Sequence, residues 1–313
     1  MVDINKLISI VIPAFNEDSN IDVISERIST ILSPNQFELI FVDDGSSDNT
    51  LLKLKKLHSE KPFIHFVSFS KNFGHQSALK AGLDFADGDC VITMDADLQH
   101  PPELLPQMIE KWVEGFDIVY TVRKDSKELS YFKRKTSVVF YKTLNKIGDI
   151  KLEPGSADYR LLDRSVVNLI KQSKEYNLFL RGFIAWVGFK KFKIDYEPNA
   201  RYSGTSKFSV IKMMKLAMNG FTSFSIRPLY FATVFGGMVS LLAFLYALYA
   251  VYIKLFTNHA LEGWTSILIS VLFIGEIQLI TLGIIGQYIG MILKQTKSRP
   301  DYIVRESSKK RLM

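Results

Sequence analysis

The chain has 313 residues, of which 47% are hydrophobic, so it exceeds one typical domain and can bury a sizeable core. Its single cysteine, Cys90, excludes an internal disulfide and is typical of a buried thiol in a reducing compartment. The net charge of +7 is compatible with nucleic acid, an anionic membrane surface or a phosphorylated substrate as partner. No basic and apolar leader with a cleavage site begins the chain, so we expect no signal peptide.

The first part of the chain alternates between short apolar strands and helical segments. Strands are predicted over 7–14, 37–43, 63–69, 89–94 and 117–122, and helices over 19–33, 48–58, 75–86 and 102–114. Strands that alternate with helices form a mostly parallel sheet with both faces covered. We therefore predict an α/β fold with a Rossmann-like, mostly parallel sheet.

Polar groups follow the first three predicted strands. Residues 13–17 (PAFNE) contain no GxGxxG, which argues against a nicotinamide or flavin site. The carboxylate and amide there suit the hydroxyls or base of a nucleotide, or else cap the helix near Ser19. After the second strand, Gly45 permits a tight turn, which leaves Asp43 free to accept hydrogen bonds from a base. Lys71, after the third strand, either faces phosphates or is a solvated loop lysine.

The fourth predicted strand leads into two carboxylates, Asp95 and Asp97. Because side chains alternate along a strand, we expect both on one face at its carboxyl end, where open α/β sheets bind ligands. Carboxylate oxygens suit Mg²⁺ or Mn²⁺, which usually also hold substrate phosphates. The alternative is a plain strand end and turn, with Pro101 and Pro102 opening the next helix. The polar groups at the other strand ends favour the metal site.

Two long apolar segments lie in the last third of the chain. Residues 229–253 carry no charge, and only Glu276 interrupts residues 265–293. At about 1.5 Å per residue, each segment is long enough to cross a hydrocarbon core of about 30 Å. Basic residues flank the pair and only Lys254 lies between the segments, so the positive-inside rule places both chain ends in the cytoplasm.

This pattern predicts how the chain is divided. We expect a catalytic domain over 1–205, a juxtamembrane amphipathic segment over 206–227, two transmembrane helices within 228–294 and a basic cytoplasmic tail over 295–313. An ordinary surface helix is the alternative for the amphipathic segment. Because the positive charge gathers beside the spans, it suits an inner-membrane surface better than nucleic acid.

Seven segments resemble, in order, the motifs of family 2 glycosyltransferases. They are IVIPAFNE, FVDDGSSDNT, KNFGHQSALKAG, MDADLQHPPE, GSADYRLLDR, RGFIAWVGF and RYSGTSKF. Within that family they are similar to the polyprenyl-phosphate glycosyltransferases related to dolichol-phosphate mannose synthase. The resemblance spans about residues 7–225 and extends to the paired C-terminal helices of the bacterial branch.

The resemblance implies a GT-A fold, a nucleotide-sugar donor and a divalent metal, Mg²⁺ or Mn²⁺, at the DxD. The family pattern places around the nucleotide sugar Pro13, Phe15 (where tyrosine is frequent), Glu17, Asp43 and Arg123. The residues that would face the metal and donor diphosphate are Asp95, Asp97 and Gln99. The implied catalytic residues are Asp97 and Asp158, the second at the position often proposed as base. The positions that match acceptor-phosphate contacts are Arg160, Arg201, Ser206 and Lys207.

Other interpretations of these residues stay open. Arg160 can instead pair with Asp158 or Asp163, and Asp158 can orient Arg160 rather than move a proton. Arg201 and Lys207 can bind anionic lipid headgroups.

The implied reaction is inverting transfer of a single sugar, first of all glucose from UDP-glucose, onto undecaprenyl phosphate at the cytoplasmic membrane face. Other donors are open: UDP-4-deoxy-4-formamido-arabinose, UDP-galactose, a UDP-N-acetyl sugar or GDP-mannose. A processive polysaccharide synthase would carry QxxRW, where this chain has RGFIAW over 181–186. The intact DxD argues against a non-catalytic membrane scaffold. From the family we expect a homo-oligomer, a tetramer.

Overall fold

A computed structural model describes residues 5–33, 35–124, 153, 155–173, 175, 178–198, 227–256 and 263–310. The chain forms two compact units, one of Met1–Leu216 with Pro300–Met313 and one of Ala217–Arg299. The predicted amphipathic segment lies outside the described residues.

The first unit is built on an eight-stranded sheet. Its strands are β1 Ile8–Ala14, β2 Phe37–Asp43, β3 Ile64–Phe69, β4 Cys90–Thr93, β5 Ile118–Arg123, β6 Ser156–Asp163, β7 Lys191–Tyr196 and β8 Val304–Ser307. Their order across the sheet is β7-β5-β6-β4-β1-β2-β3-β8. Strands β4, β1, β2 and β3 are mutually parallel, whereas β6 and β8 run antiparallel to their neighbours. The predicted mostly parallel sheet is confirmed.

Helices cover both faces of this sheet. They are α1 Asp18–Leu32, α2 Thr50–Glu60, α3 His75–Phe85, α4 Leu105–Val113, α5 Arg164–Gln172 and α6 Leu180–Trp186. In β1, Ile10 and Ile12 pack into one core cluster, and Val11 packs into the other cluster across the sheet. All three side chains are fully buried, which explains why this central strand is apolar on both faces at these positions.

The C-terminal strand β8 closes the edge of the sheet beside β3. It pairs antiparallel with β3, with Ser68 opposite Glu306. Just before it, the Tyr302 ring stacks on Phe69 with 5.1 Å between ring centroids. Just after it, Lys309 forms ion pairs with Glu38 and with Asp87. The sequence predicted a basic tail here and no strand.

The second unit contains two long helices, α7 Arg227–Phe256 and α8 Trp264–Thr296. Among the described residues, one stretch, Phe273–Thr296, is long and apolar enough to cross a membrane. In α7 the corresponding apolar stretch, Ala232–Tyr246, is shorter. The second predicted span thus has a matching helix, whereas the first span stays a prediction.

Candidate active site

The loops after β1 and β2 are tied together at the carboxyl edge of the sheet. Asn16 has a φ of 55°, a left-handed conformation that asparagine tolerates better than most residues. Its backbone N–H donates to Ser46 Oγ at 2.9 Å, and its side-chain oxygen accepts from the Ser47 N–H at 2.9 Å. These bonds hold the two loops against each other at this edge of the sheet.

Asp43, at the end of β2, is 1% exposed. Its Oδ1 accepts from the Ser46 N–H at 3.0 Å and its Oδ2 accepts from Ser68 Oγ at 2.7 Å. Each oxygen of Asp43 thus already accepts one hydrogen bond, one from the following loop and one from β3. A contact between Asp43 and the nucleotide stays a prediction.

The other predicted nucleotide residues lie around the same loop. Pro13 is buried in β1, opposite Val42, and Phe15 follows the strand half-buried. Glu17 immediately precedes α1, where its side chain makes no capping hydrogen bond. Instead, its Oε2 accepts from Asn20 Nδ2 at 2.6 Å. These positions are compatible with the predicted nucleotide-binding site, and the binding itself stays a prediction.

The two DxD carboxylates stand in a turn rather than on a strand. Strand β4 ends at Thr93, and Leu98 adopts a φ of 60° in the turn that follows. Asp97 Oδ1 accepts from the Gln99 N–H at 3.1 Å, which stabilises this turn. The prediction that strand alternation places both carboxylates is therefore wrong in its premise, because β4 ends at Thr93, before Asp95.

His100 fixes Asp95 from the buried side. Its Nδ1 accepts from the Asp95 N–H at 3.0 Å, so the neutral ring carries its hydrogen on Nε2. That Nε2 lies 3.7 Å from Asp95 Oδ2. The imidazole also stacks on the Tyr159 ring with 5.0 Å between centroids. His100 thus orients the carboxylate, and its Nδ1 is not available to a metal.

The carboxylates fit a hard divalent cation that the substrate helps to coordinate. The Asp95 side chain is 36% exposed and is therefore accessible to a ligand. Within the part of the chain that the structure describes, no group of three or more His, Cys, Asp or Glu side chains could hold a metal. Mg²⁺ and Mn²⁺ prefer oxygen ligands, and Mg²⁺ is usually bound by one or two carboxylates with water and substrate phosphates. Asp95, Asp97 and the Gln99 amide oxygen supply that chemistry.

Asp158, on β6, is a buried carboxylate surrounded by cations. Arg181 donates to it through Nε and Nη2, both at 2.8 Å, and Arg160 Nη2 donates at 3.0 Å. A third contact is His75 Nε2, 3.5 Å from Asp158 Oδ2. Burial favours the neutral acid, but Arg181, His75 and Arg160 outweigh it and hold the pKa of Asp158 well below its usual range.

This arrangement favours an orienting role for Asp158. A general base works best with a pKa near the working pH, and Asp158 is far below it. Arg160 is 4% exposed, and its Nη2 also donates to the Ala157 carbonyl at 2.7 Å. Burial lowers the pKa of Arg160 to about 10. Arg160 therefore makes the alternative pairing with Asp158, and its contact with an acceptor phosphate stays a prediction.

His75 connects the Asp158 cluster to the DxD. Its Nε2 lies 3.5 Å from Asp95 Oδ1 as well as 3.5 Å from Asp158 Oδ2. Burial lowers the pKa of His75, but the Asp95 and Asp158 carboxylates outweigh it and the net shift is upward. The DxD and the arginine pair thus belong to one site.

Arg123 is the last residue of β5 and lies at the edge of the sheet where β4 also ends. Its backbone N–H donates to the Gly155 carbonyl at 3.0 Å, and its Nε is buried without a hydrogen-bond partner among the described residues. Burial raises the pKa of Tyr196 to about 12, with Arg123 opposing and the DxD carboxylates adding to the shift. Tyr196 is therefore within electrostatic reach of both Arg123 and the DxD carboxylates, and the buried Arg123 N–H group suits an anionic ligand.

Sequence reasoning missed four residues of this site. His75 and Arg181 lie in the quoted segments KNFGHQSALKAG and RGFIAWVGF, and His100 lies in MDADLQHPPE. Tyr196 carried no signal in the sequence. Three predicted phosphate-binding residues lie outside the described part of the chain: Arg201, Ser206 and Lys207.

The chain is similar in sequence to known glycosyltransferases. Over 301 residues the chain is 42% identical to YkcC, an uncharacterized glycosyltransferase of Bacillus subtilis (strain 168), covering 96% of this chain and 93% of that protein. Over 302 residues it is 41% identical to the SfII prophage-derived bactoprenol glucosyl transferase of Shigella flexneri, covering 96% and 98%.

Among solved structures, the chain is similar to glucosyl-3-phosphoglycerate synthase from Mycobacterium tuberculosis in complex with Mn²⁺, UDP and phosphoglyceric acid. It shares 19% identity at a TM-score of 0.47, over 70% of this chain and 77% of that chain.

Residues 9–170 match the family described as Glycosyl transferase family 2. The family resemblance found in the sequence is confirmed, and the chain belongs to glycosyl transferase family 2.

Proposed function

We propose that this glycosyltransferase moves a single glucosyl residue from UDP-glucose to the phosphate of undecaprenyl phosphate, with inversion at the anomeric carbon. The observation that carries the proposal is its similarity, over nearly the full chain, to proteins named bactoprenol glucosyl transferase. These include the one from Shigella flexneri, at 41% identity, and a prophage homolog from Escherichia coli (strain K12), at 40%.

The chemical difficulty of this reaction is charge, because an anionic acceptor must approach an anionic donor. Asp95, Asp97 and Gln99 would hold Mg²⁺ or Mn²⁺, which neutralises the donor diphosphate and stabilises it as a leaving group. Arg123, with its buried N–H group, would bind the same diphosphate. The transition state of glycosyl transfer is oxocarbenium-like, so positioning and electrostatics supply most of the acceleration.

The acceptor phosphate needs no strong base. A phosphate monoester has a second pKa of about 6 and is largely dianionic at neutral pH. Asp158 would then act by holding Arg181, whose side chain is 29% exposed, toward the reacting groups. Arg160, Arg201, Ser206 and Lys207 complete the proposed acceptor site.

The membrane arrangement follows from the acceptor's lipid tail. The apolar stretch of α8 would anchor the protein in the inner membrane beside the polyprenyl chain. With the predicted span in α7, it would form a two-pass anchor with both chain ends in the cytoplasm. A homotetramer is our proposal for the assembly, and nucleic acid is not among the proposed partners.

The test uses the full chain in lipid nanodiscs with undecaprenyl phosphate, Mg²⁺ or Mn²⁺, and a panel of nucleotide sugars. Mass spectrometry follows the formation of a glycosyl phospholipid, with Asp97→Asn as the control. A hexosyl lipid formed from UDP-glucose by the wild type and not by Asp97→Asn supports the proposal. Product from a different donor would replace glucose by that sugar, and no product from any folded preparation would overturn the reaction.

A further inference from the structure

We propose that His75 is a positioning residue that fixes the DxD carboxylate Asp95 relative to Asp158 and its arginines. In the reaction this would set the donor's metal site against the acceptor's phosphate site, a consequence that rests on the proposed function. The position of Asp95 relative to Asp158 does not itself depend on that function.

The first observation is that one imidazole nitrogen serves two carboxylates. His75 Nε2 lies 3.5 Å from both Asp95 Oδ1 and Asp158 Oδ2. Both distances exceed those of a well-formed hydrogen bond, so the nitrogen makes an electrostatic contact of equal length with each carboxylate. Ionised carboxylates only accept hydrogen bonds and repel each other, so a donor between them keeps both in place.

The second observation is that the backbone around His75 is itself held firmly. Asp44 Oδ1 accepts from the Phe73 N–H at 2.6 Å, and Asp44 Oδ2 accepts from the Gly74 N–H at 3.0 Å. Gly74 has a φ of 100°, which side-chain-bearing residues rarely adopt. His75 follows as the first residue of α3. A buried carboxylate immediately after β2 therefore sets where the imidazole can reach.

The third observation is the close approach of the two loops that carry this arrangement. A Cβ placed on Gly45 would lie 2.5 Å from the Lys71 carbonyl carbon, so only glycine fits between the loops. The contact holds the β3–α3 loop against the β2–α2 loop. The backbone that carries the imidazole is thus held in place by contacts with the sheet and its loops. Such support suits a side chain that positions two other groups.

The remaining sides of both carboxylates already have partners. His100 accepts from the Asp95 N–H and faces Oδ2, while Arg181 binds Asp158 through two donors. His75 contacts a member of each set, Asp95 in the first and Asp158 in the second. Removing its N–H should leave each set intact and loosen their mutual spacing.

The experiment compares three substitutions in the full chain in nanodiscs. His75→Gln keeps an N–H donor at similar reach, His75→Asn keeps a donor on a shorter side chain, and His75→Phe keeps the ring without a donor. His58→Gln is the matched control, because His58 contacts the Ile64 carbonyl at 2.6 Å, at the start of β3. The readouts are binding of Mn²⁺ alone, and KM and kcat for undecaprenyl phosphate with UDP-glucose.

We expect His75→Phe and His75→Asn to weaken Mn²⁺ binding about tenfold or more and to raise KM for undecaprenyl phosphate. His75→Gln should recover most of both losses, and His58→Gln should match the wild type. Should His75→Phe fail to fold, the comparison of Gln with Asn decides. Wild-type Mn²⁺ affinity and KM in folded Asn or Phe variants would overturn the proposal. An absence of sugar transfer by the wild type would count against the proposed function alone, since the Mn²⁺ comparison still tests His75.

Discussion

Asp158 is a charge kept in a buried place by its neighbours. Its side chain is 6% exposed and faces two arginines, one of which, Arg160, is itself 5% exposed. Removing one member of a buried ion pair leaves the other charges uncompensated, which typically costs about 3 to 5 kcal/mol. We therefore expect Asp158→Asn to lower the melting temperature strongly in thermal unfolding of the full chain.

The matched control for Asp158→Asn is Glu103→Gln, which removes an exposed ion pair with Arg27. Those side chains are 56% and 38% exposed, and such pairs contribute about 0 to 1 kcal/mol. Because the pKa of Asp158 is depressed, its stabilisation is present above the unfolded pKa and is lost only as pH falls toward the folded value. The difference from wild type should thus be at least as large at pH 6 as at pH 8, because Asp158 also raises the pKa of His75 and this interaction strengthens as His75 is protonated; a difference that shrinks at pH 6 would contradict this.

Asp44 should show the opposite pH dependence. Burial raises its pKa to about 6, although the Phe73 and Gly74 amides donate to it. With a folded pKa above the unfolded one, protonation stabilises the folded state, and this contribution declines as pH rises from about 4 to about 6. The melting temperature of wild type relative to Asp44→Asn should therefore be higher at pH 5 than at pH 7.5. A constant difference across this range would show that Asp44 does not titrate there.

At the site, the sequence identified the DxD from two carboxylates that follow an apolar strand and Asp158 from a segment that resembles a family, but it did not show what these residues contact. The strand-alternation argument failed because β4 ends before Asp95. The partnership of Asp158 with Arg181 joins positions 23 residues apart in the chain, on a strand and a helix. Periodicity within one element carries no information about such contacts, so His75 and Arg181 could not be found from it.

Among the elements, β8 gives the sheet its last strand. Without it, β3 would present unpaired N–H and C=O groups, which promote aggregation. A chain that stops after Pro300 should therefore have a lower melting temperature and elute earlier, as oligomers, in size-exclusion chromatography. A chain that stops after Lys310 keeps β8 and is the control. Equal melting temperatures and elution for the two chains would mean that β8 contributes nothing to the sheet.

The first five strands were predicted to within a few residues, and the last three were not predicted. The first strands are mostly apolar because helices cover both faces, and this burial is visible in the sequence as short segments rich in apolar and β-branched residues. Strand β6 instead carries Asp158 and Arg160, which form an ion pair inside the fold. Because of these charges, the sequence of this buried strand is typical of an exposed, polar segment. Strand β8 (VRES) is mostly polar, and only its pairing with β3 marks it as a strand.

At the scale of the whole molecule, the sequence predicted the order of an α/β part followed by apolar helices. It did not predict that the chain returns to the first unit after α8, because that return depends on contacts with distant residues. Tyr302 donates to Asp84 Oδ2 at 2.8 Å, a bond that spans 218 residues of sequence. The helical unit, Ala217–Arg299, is therefore an insertion within the sequence of the catalytic unit.

An insertion is fastened to its host at two points, one covalent junction on either side. A single cut by a protease at a site engineered within 199–226 should therefore not release the catalytic unit from the membrane, because β8 still pairs with β3 and leads directly back to α8. We expect the two fragments to co-purify from detergent after such a cut, and to separate when the chain also stops after Pro300 or when denaturant is added. Spontaneous separation after the first cut would mean that the returning strand adds no second hold on the membrane.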